Sequence, residues 1–201
     1  MPATSHSEIN FKMNGYYIFL APGYEPLEAL APMDVLRRAK FDIKFVTVGD
    51  SPLPPSTQGY ALQPHLTWEE FLEEADTEGA DGCLIFPGGL PGAETLGDNE
   101  ALMDILRAHY NAGGLTCAIC AAPARTLSRN IDVRGRRMTV YEGFEKDLTA
   151  AGATPTGEGV TIDGNLITAK GPGLAIDFGL AILEKVADPR VYNVIKHAMM
   201  L

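Results

Sequence analysis

Along this chain, short apolar runs rich in β-branched and aromatic residues alternate with stretches in which apolar residues recur every three or four positions. The first pattern marks buried strands and the second amphipathic helices, so their alternation predicts parallel strands joined by crossover helices. Strands are predicted at residues 16–20, 41–48, 82–86 and 115–119. The first is followed by a helix over 26–39, with Leu27, Leu30, Ala31 and Val35 along it and Pro26 in its opening turn. Residues 67–74 open with a capping box, Thr67 followed by Glu70, and 100–112 and 122–129 read as helices. Short strands are predicted at 138–140, 160–162 and 166–168, the last two joined by the turn Asp163-Gly164-Asn165. Two helices close the chain: one over 174–186, the other capped by Asp188 with Pro189 behind it. Residues 50–65, with four prolines and Gly59, read as an irregular excursion with room for a short edge hairpin.

Length then limits the architecture. With 201 residues the chain is the size of one domain, assigned to residues 15–201 behind a polar tail, residues 1–14. A net charge of −10 disfavours sequence-independent nucleic-acid binding and anionic membrane surfaces, both of which call for clustered Lys and Arg. No apolar run approaches the roughly 20 residues that cross a bilayer, and the tail lacks the basic-then-apolar order of a leader, so a cytoplasmic protein is expected. Three cysteines, Cys83, Cys117 and Cys120, lie in or beside strand-like runs; this is no disulfide framework, and reduced thiols are expected.

In open α/β sheets ligands bind beyond the carboxyl ends of the strands, so the residues after each strand carry the chemistry. After residue 119 comes Cys120, with Ala118 and Ala122 two places to either side and Pro123 beyond. A nucleophile on a sharp strand-to-helix elbow needs small residues at those places. A thiol facing a helix N-terminus also has its thiolate favoured. Cys117 and Cys120 form a Cys-x-x-Cys pair, but three extended steps separate the Cα atoms by about 10 Å, beyond disulfide reach. Zinc would need further ligands, which the spacing does not offer; no metal or cofactor is called for, and Cys83 and Cys117 read as core.

After residue 86, Pro87-Gly88-Gly89 leaves backbone N–H groups free to approach a reacting atom, so that Gly89 and Ala121 could together form an oxyanion hole. A phosphate loop fits less well, because neither Gly-x-Gly-x-x-Gly nor Gly-Lys-Ser/Thr is present. Glu28, among Leu27, Ala29, Leu30 and Ala31, should have a raised pKa and, facing Cys120, should be a protonated donor to the sulfur. Glu25 is its rival, read as a solvated acid. The histidines, His6 in the tail, His65 in the proline-rich loop, His109 on a polar helix end and His197 near the C-terminus, follow no strand at the site and read as surface or packing residues.

Taken together, Ala21-Pro22-Gly23 with Glu28 and 32–39, Pro87-Gly88-Gly89 with Gly92-Ala93, 118–123, and Gly171-Pro172-Gly173 with Asp177-Phe178 resemble the ThiJ/PfpI superfamily. Within it the likeness is to the parkinsonism-associated deglycase, or DJ-one, branch. The resemblance implies a flavodoxin-like three-layer α/β sandwich with a mostly parallel sheet, usually homodimeric. It also implies a nucleophile at Cys120, the family glutamate at Glu28, and oxyanion-binding backbone at Gly89 and Ala121. Members act as glutathione-independent glyoxalases, deglycases, redox-sensing chaperones or, in another branch, cysteine proteases.

Two departures narrow these options. Ala121 stands where the protease-like branch has histidine, and Tyr141 stands where glyoxalase-competent members carry one. The resulting expectation is a stress-response protein whose Cys120 adds to a small dicarbonyl or its adduct. A non-enzymatic redox sensor or chaperone is the alternative, and an amidase or protease is a third.

Overall fold

Strand β1 (Tyr16–Leu20) sends alternate side chains to two opposite cores, Tyr17 and Phe19 into one, Ile18 and Leu20 into the other. A strand buried on both faces belongs to the middle of a sheet with helices on either side. The computed structural model describes residues 15–74 and 82–201, so the predicted tail, residues 1–14, and His6 lie outside the described residues. After β1 come α1 (Pro26–Arg38), β2 (Ile43–Thr47), α2 (Trp68–Glu74), β3 (Cys83–Phe86), α3 (Gly92–Asp98), α4 (Glu100–Asn111) and β4 (Leu115–Ile119). A short π-helix (Pro123–Leu127) follows, then β5 (Arg137–Met138), α5 (Glu145–Ala150), β6 (Thr154–Pro155), β7 (Val160–Asp163) and β8 (Leu166–Ala169). A 3₁₀ turn (Pro172–Leu174), α6 (Ala175–Val186) and α7 (Pro189–Ala198) end the chain.

The main sheet has the order β2-β1-β3-β4-β8-β7, with only β7 antiparallel. Helices α1, α6 and α7 cover the face carrying Ile18, Ile85 and Ile119. The opposite core draws on α2, α3, α4, the π-helix and α5. This is the expected flavodoxin-like α/β sandwich with a mostly parallel sheet. Strand order reverses between β1 and β3, which places the switch point, and hence the natural binding crevice, beside the carboxyl ends of β1, β3 and β4. Among the described residues no helix is long and apolar enough to cross a membrane.

The departures from expectation are local. The predicted strand 41–48 shortens because Lys40 takes a left-handed φ of 68° and the Phe41 N–H bonds back to Leu36 O at 3.1 Å, closing the helix as a Schellman motif. No hairpin forms in 50–65; the segment is instead tied by single bridges, Tyr24 to Ser56 and Val46 to Leu66. Helices α3 and α5 were not expected, being too short for helical periodicity to show, and α3 opens on a glycine. The predicted strand 138–140 survives as Arg137–Met138, paired with β6 outside the main sheet. His109 is fully buried, its Nε2 3.0 Å from Leu115 O, and so serves packing.

Candidate active site

Three chain segments converge at the carboxyl ends of β1, β3 and β4, and each is shaped by what it must approach. At the end of β4, Cys120 adopts φ 64°, a left-handed conformation that costs a non-glycine residue of order 1 kcal/mol or more. The surroundings enforce it: the Cys120 N–H donates to Ala169 O and the Tyr141 N–H donates to Cys120 O, both at 2.9 Å. Ala118 and Ala122 are fully buried beside the elbow, as the need for small neighbours predicts. Gly88 is equally constrained, since a Cβ there would lie 2.6 Å from Cys120 Cβ and 2.9 Å from Glu28 Oε2.

Beyond the elbow the expected helix over 122–129 is the π-helix, in which the Ser128 N–H reaches back five residues to Pro123 O at 3.0 Å. In the widened turn the buried Thr126 hydroxyl donates to Ala93 O at 2.8 Å, pinning the elbow helix to α3, which follows the Gly88-Gly89 segment. The backbone partners of the Cys120 sulfur are the N–H groups of Gly89 and Ala121. The two predicted donors and the predicted nucleophile therefore meet.

Glu28 joins them from α1 and is fully buried. Its Oε2 accepts the Gly88 N–H at 2.8 Å, and the carboxyl also pairs with the Cys120 side chain. Burial above all pushes Glu28 from an ordinary 4.5 to about 8, so at neutral pH the group is a neutral acid. Oε2 is engaged as an acceptor, while the buried Oε1 has no hydrogen-bond partner among the described residues. Glu25 is no rival. It N-caps α1, its Oε2 accepting the Glu28 N–H at 2.8 Å, and its charge adds to the rise in Glu28.

Cys120 departs from one expectation. A thiolate favoured by the helix end is outweighed: burial first, then the Glu28 carboxyl, push the thiol up to about 12, while the Gly89 and Ala121 N–H groups pull it down. Repulsion from Glu28 exists only when Glu28 is ionised. Below about pH 8 the carboxyl is neutral and stands as a donor beside the sulfur. Cys83 and Cys117 are free and buried, their sulfurs 3.6 Å apart, as core residues should be.

Sequence reasoning missed Gly88 as the anchor of Glu28, Glu25 as the cap, and Thr126. Only Glu25 left a clear signal, an acid directly before Pro26 and three residues before Glu28, which is the spacing of an N-cap. Tyr141 is exposed and, with Glu142, Lys170, Gly171, Pro172, Gly173 and Leu174, lines a cleft of about 270 Å³ beside the elbow. His65 lies away from the sulfur, its Nδ1 accepting the Phe45 N–H at 3.0 Å, and His197 sits in the last turn of α7. No cluster of metal-ligating side chains occurs among the described residues.

Comparison with known proteins bears on the family and the fold. The chain is 33% identical over 183 residues to Protein DJ-1alpha of Drosophila melanogaster, covering 91% of this chain and 82% of that one. It is 28% identical over 190 residues to the glutathione-independent glyoxalase DJ-1 of Schizosaccharomyces pombe, covering 89% of this chain and 94% of that one. The solved structure of oxidized Toxoplasma gondii DJ-1 superposes with a TM-score of 0.84 at 27% identity, over 92% of this chain and 97% of that one. The model of the DJ-1/PfpI family matches residues 16–185, and the chain belongs to that family.

Proposed function

We propose that the protein is a glutathione-independent glyoxalase or deglycase-type enzyme, in which Cys120 adds to a small α-oxoaldehyde and Glu28 moves the protons. The observation that carries this reading is a neutral, fully buried carboxyl paired with a half-buried thiol whose sulfur is also met by two backbone N–H groups. With the thiol proton lost and Glu28 still protonated, the thiolate attacks the aldehyde carbon. The C–S bond forms, the carbonyl electron pair moves to oxygen, and the N–H groups of Gly89 and Ala121 hold that oxyanion. Glu28 then gives its proton to the oxygen, leaving a hemithioacetal and a carboxylate. That carboxylate takes the adjacent C–H proton and returns it to the neighbouring carbon while the hydroxyl proton passes to the neighbouring oxygen, giving a thioester that water hydrolyses to a 2-hydroxy acid and the free thiol. The net reaction adds one water to the dicarbonyl and needs no outside oxidant or reductant.

Mass spectrometry after brief exposure to methylglyoxal tests this. A reversible adduct on the Cys120 peptide is expected; adducts confined to lysine and arginine, with Cys120 unmodified, would end the reading. A redox sensor is the second reading, favoured by the same N–H groups and acid, which suit the oxygens of a sulfinate. A protease is disfavoured, since Ala121 offers no base.

The family likeness also supports a homodimer. Exposed Leu27, Leu30 and Ile176 line an apolar recess of about 310 Å³ that shares Pro172 and Gly173 with the cleft beside Cys120, so a second copy docked there would wall that cleft. Light scattering at micromolar concentration should read two chains; a single chain would refute the dimer.

A further inference from the structure

The Thr126 hydroxyl is fully buried and is not satisfied by its own helix. Such a group ordinarily bonds the carbonyl four residues back, as Ser128 does in this same helix with Ala124 O at 3.0 Å. Thr126 instead donates across to Ala93 O in α3, at 2.8 Å. The place of that bond gives it a further consequence. Strands β3 and β4 are held in register as far as Phe86 and Ala118, and each chain then runs three residues on to a donor of the Cys120 sulfur, Gly89 and Ala121 respectively. Beyond the donors each segment is braced by its own helix. The Ala93 N–H bonds Gly89 O at 2.9 Å, and the Arg125 N–H bonds Ala121 O at 2.8 Å. The Thr126 bond joins those two braces. Close approach is built into the joint, since a Cβ on Gly97 would lie 2.3 Å from Arg125 O. Asn130 also spans it, its Nδ2 donating to Gly97 O at 3.0 Å and to Thr126 O at 2.9 Å.

We infer that Thr126 is a positioning residue for the Cys120 site, its hydroxyl keeping the Gly89 and Ala121 N–H groups, which come from separate segments, converged on one atom. The inference rests on the proposed role of those groups as the donors that hold the oxyanion. Two donors aimed at one atom stabilise charge most when neither has to reorient as the charge develops. Without the Thr126 bond, α3 and the elbow helix can shift against each other, and the donors shift with them. Thr126 thus acts through Ala93 and the two braces, and takes no part in bond making.

Thr126→Val is nearly isosteric and removes the hydroxyl, while Thr126→Ser keeps it. Losing one oxyanion donor outright costs about 10² to 10³ in kcat, and loosening a pair should cost less. In Thr126→Val the kcat for methylglyoxal should therefore fall about tenfold with KM within about twofold, and Thr126→Ser should stay near native. A second readout needs no turnover. The same N–H groups favour the thiolate, so Cys120 in Thr126→Val should react more slowly with iodoacetamide at pH 8. The expected loss is about threefold, a tenfold fall in thiolate being partly offset by its greater nucleophilicity. Asn130→Ala, at a half-buried position, should move both readouts the same way by less, and it carries the test if Thr126→Val does not fold. Native alkylation and native kcat in the folded variant would leave Thr126 a packing residue and overturn the inference. Equal losses in Thr126→Ser and Thr126→Val would overturn it too. Slower alkylation in Thr126→Val, restored in Thr126→Ser, in a protein that turns over no methylglyoxal would remove the enzymatic reading and leave the positioning role standing.

Discussion

Replacing Glu28 by glutamine separates a proton shuttle from a mere sulfur partner. The side chain is fully buried, so the change must be nearly isosteric: the introduced amide can accept the Gly88 N–H with its oxygen and turn its NH₂ donor to the Cys120 sulfur. What it loses is the capacity to give up and regain a proton. Positioned acid–base catalysis contributes about 10² to 10⁴, so turnover of methylglyoxal should fall by about 10² or more, equivalent to about 2.7 kcal/mol of barrier. The same variant carries a stability signature. Because folding raises Glu28 from 4.5 to about 8, its stability contribution is fully present below pH 4.5 and is lost as pH rises through about 8. At about 1.4 kcal/mol per pKa unit, the loss amounts to at most about 5 kcal/mol. Urea denaturation from pH 4.5 to 8 should show native stability falling by a sizeable part of that figure, while Glu28→Gln stays flatter and is the more stable at pH 8. Full turnover in Glu28→Gln would remove the shuttle, and parallel pH–stability curves would mean the carboxyl is not held neutral by burial.

Two further outcomes follow from the surroundings of the Cys120 sulfur. Glu28→Leu should slow alkylation of Cys120 at pH 7, where a neutral donor to sulfur is lost, and speed it at pH 10, where a repelling carboxylate is lost; acceleration at every pH would mean that Glu28 is ionised throughout. Mild peroxide should convert Cys120 to a sulfinate held by the Gly89 and Ala121 N–H groups, since Cys83 and Cys117 are buried with each other. A dominant Cys117–Cys120 disulfide would contradict the elbow geometry.

Much of this architecture was legible because the signals were strong where burial was complete. Runs such as 16–20 and 115–119 are apolar on both faces, and only a covered parallel sheet uses such strands. The elbow at Cys120 was legible from Ala118 and Ala122, because it leaves no room for larger neighbours. Glu28 was legible as a carboxyl among apolar residues. The rest turned on contacts distant in sequence. Gly88 matters through an oxygen sixty positions away, and the π-helix shows only in where the Ser128 N–H finds its acceptor. The thiol pKa was misjudged from local sequence, since a helix end favours thiolate but says nothing of how deeply the sulfur lies.

The central claim, that Cys120 performs carbonyl chemistry without a thiol cofactor, is tested most directly by following methylglyoxal loss and lactate formation in the absence of glutathione. Native protein and Cys120→Ser should be run side by side. Native protein should form one lactate per methylglyoxal consumed, and Cys120→Ser should fall to the uncatalysed rate. Lactate formation by Cys120→Ser at the native rate, or none by either protein, would contradict it.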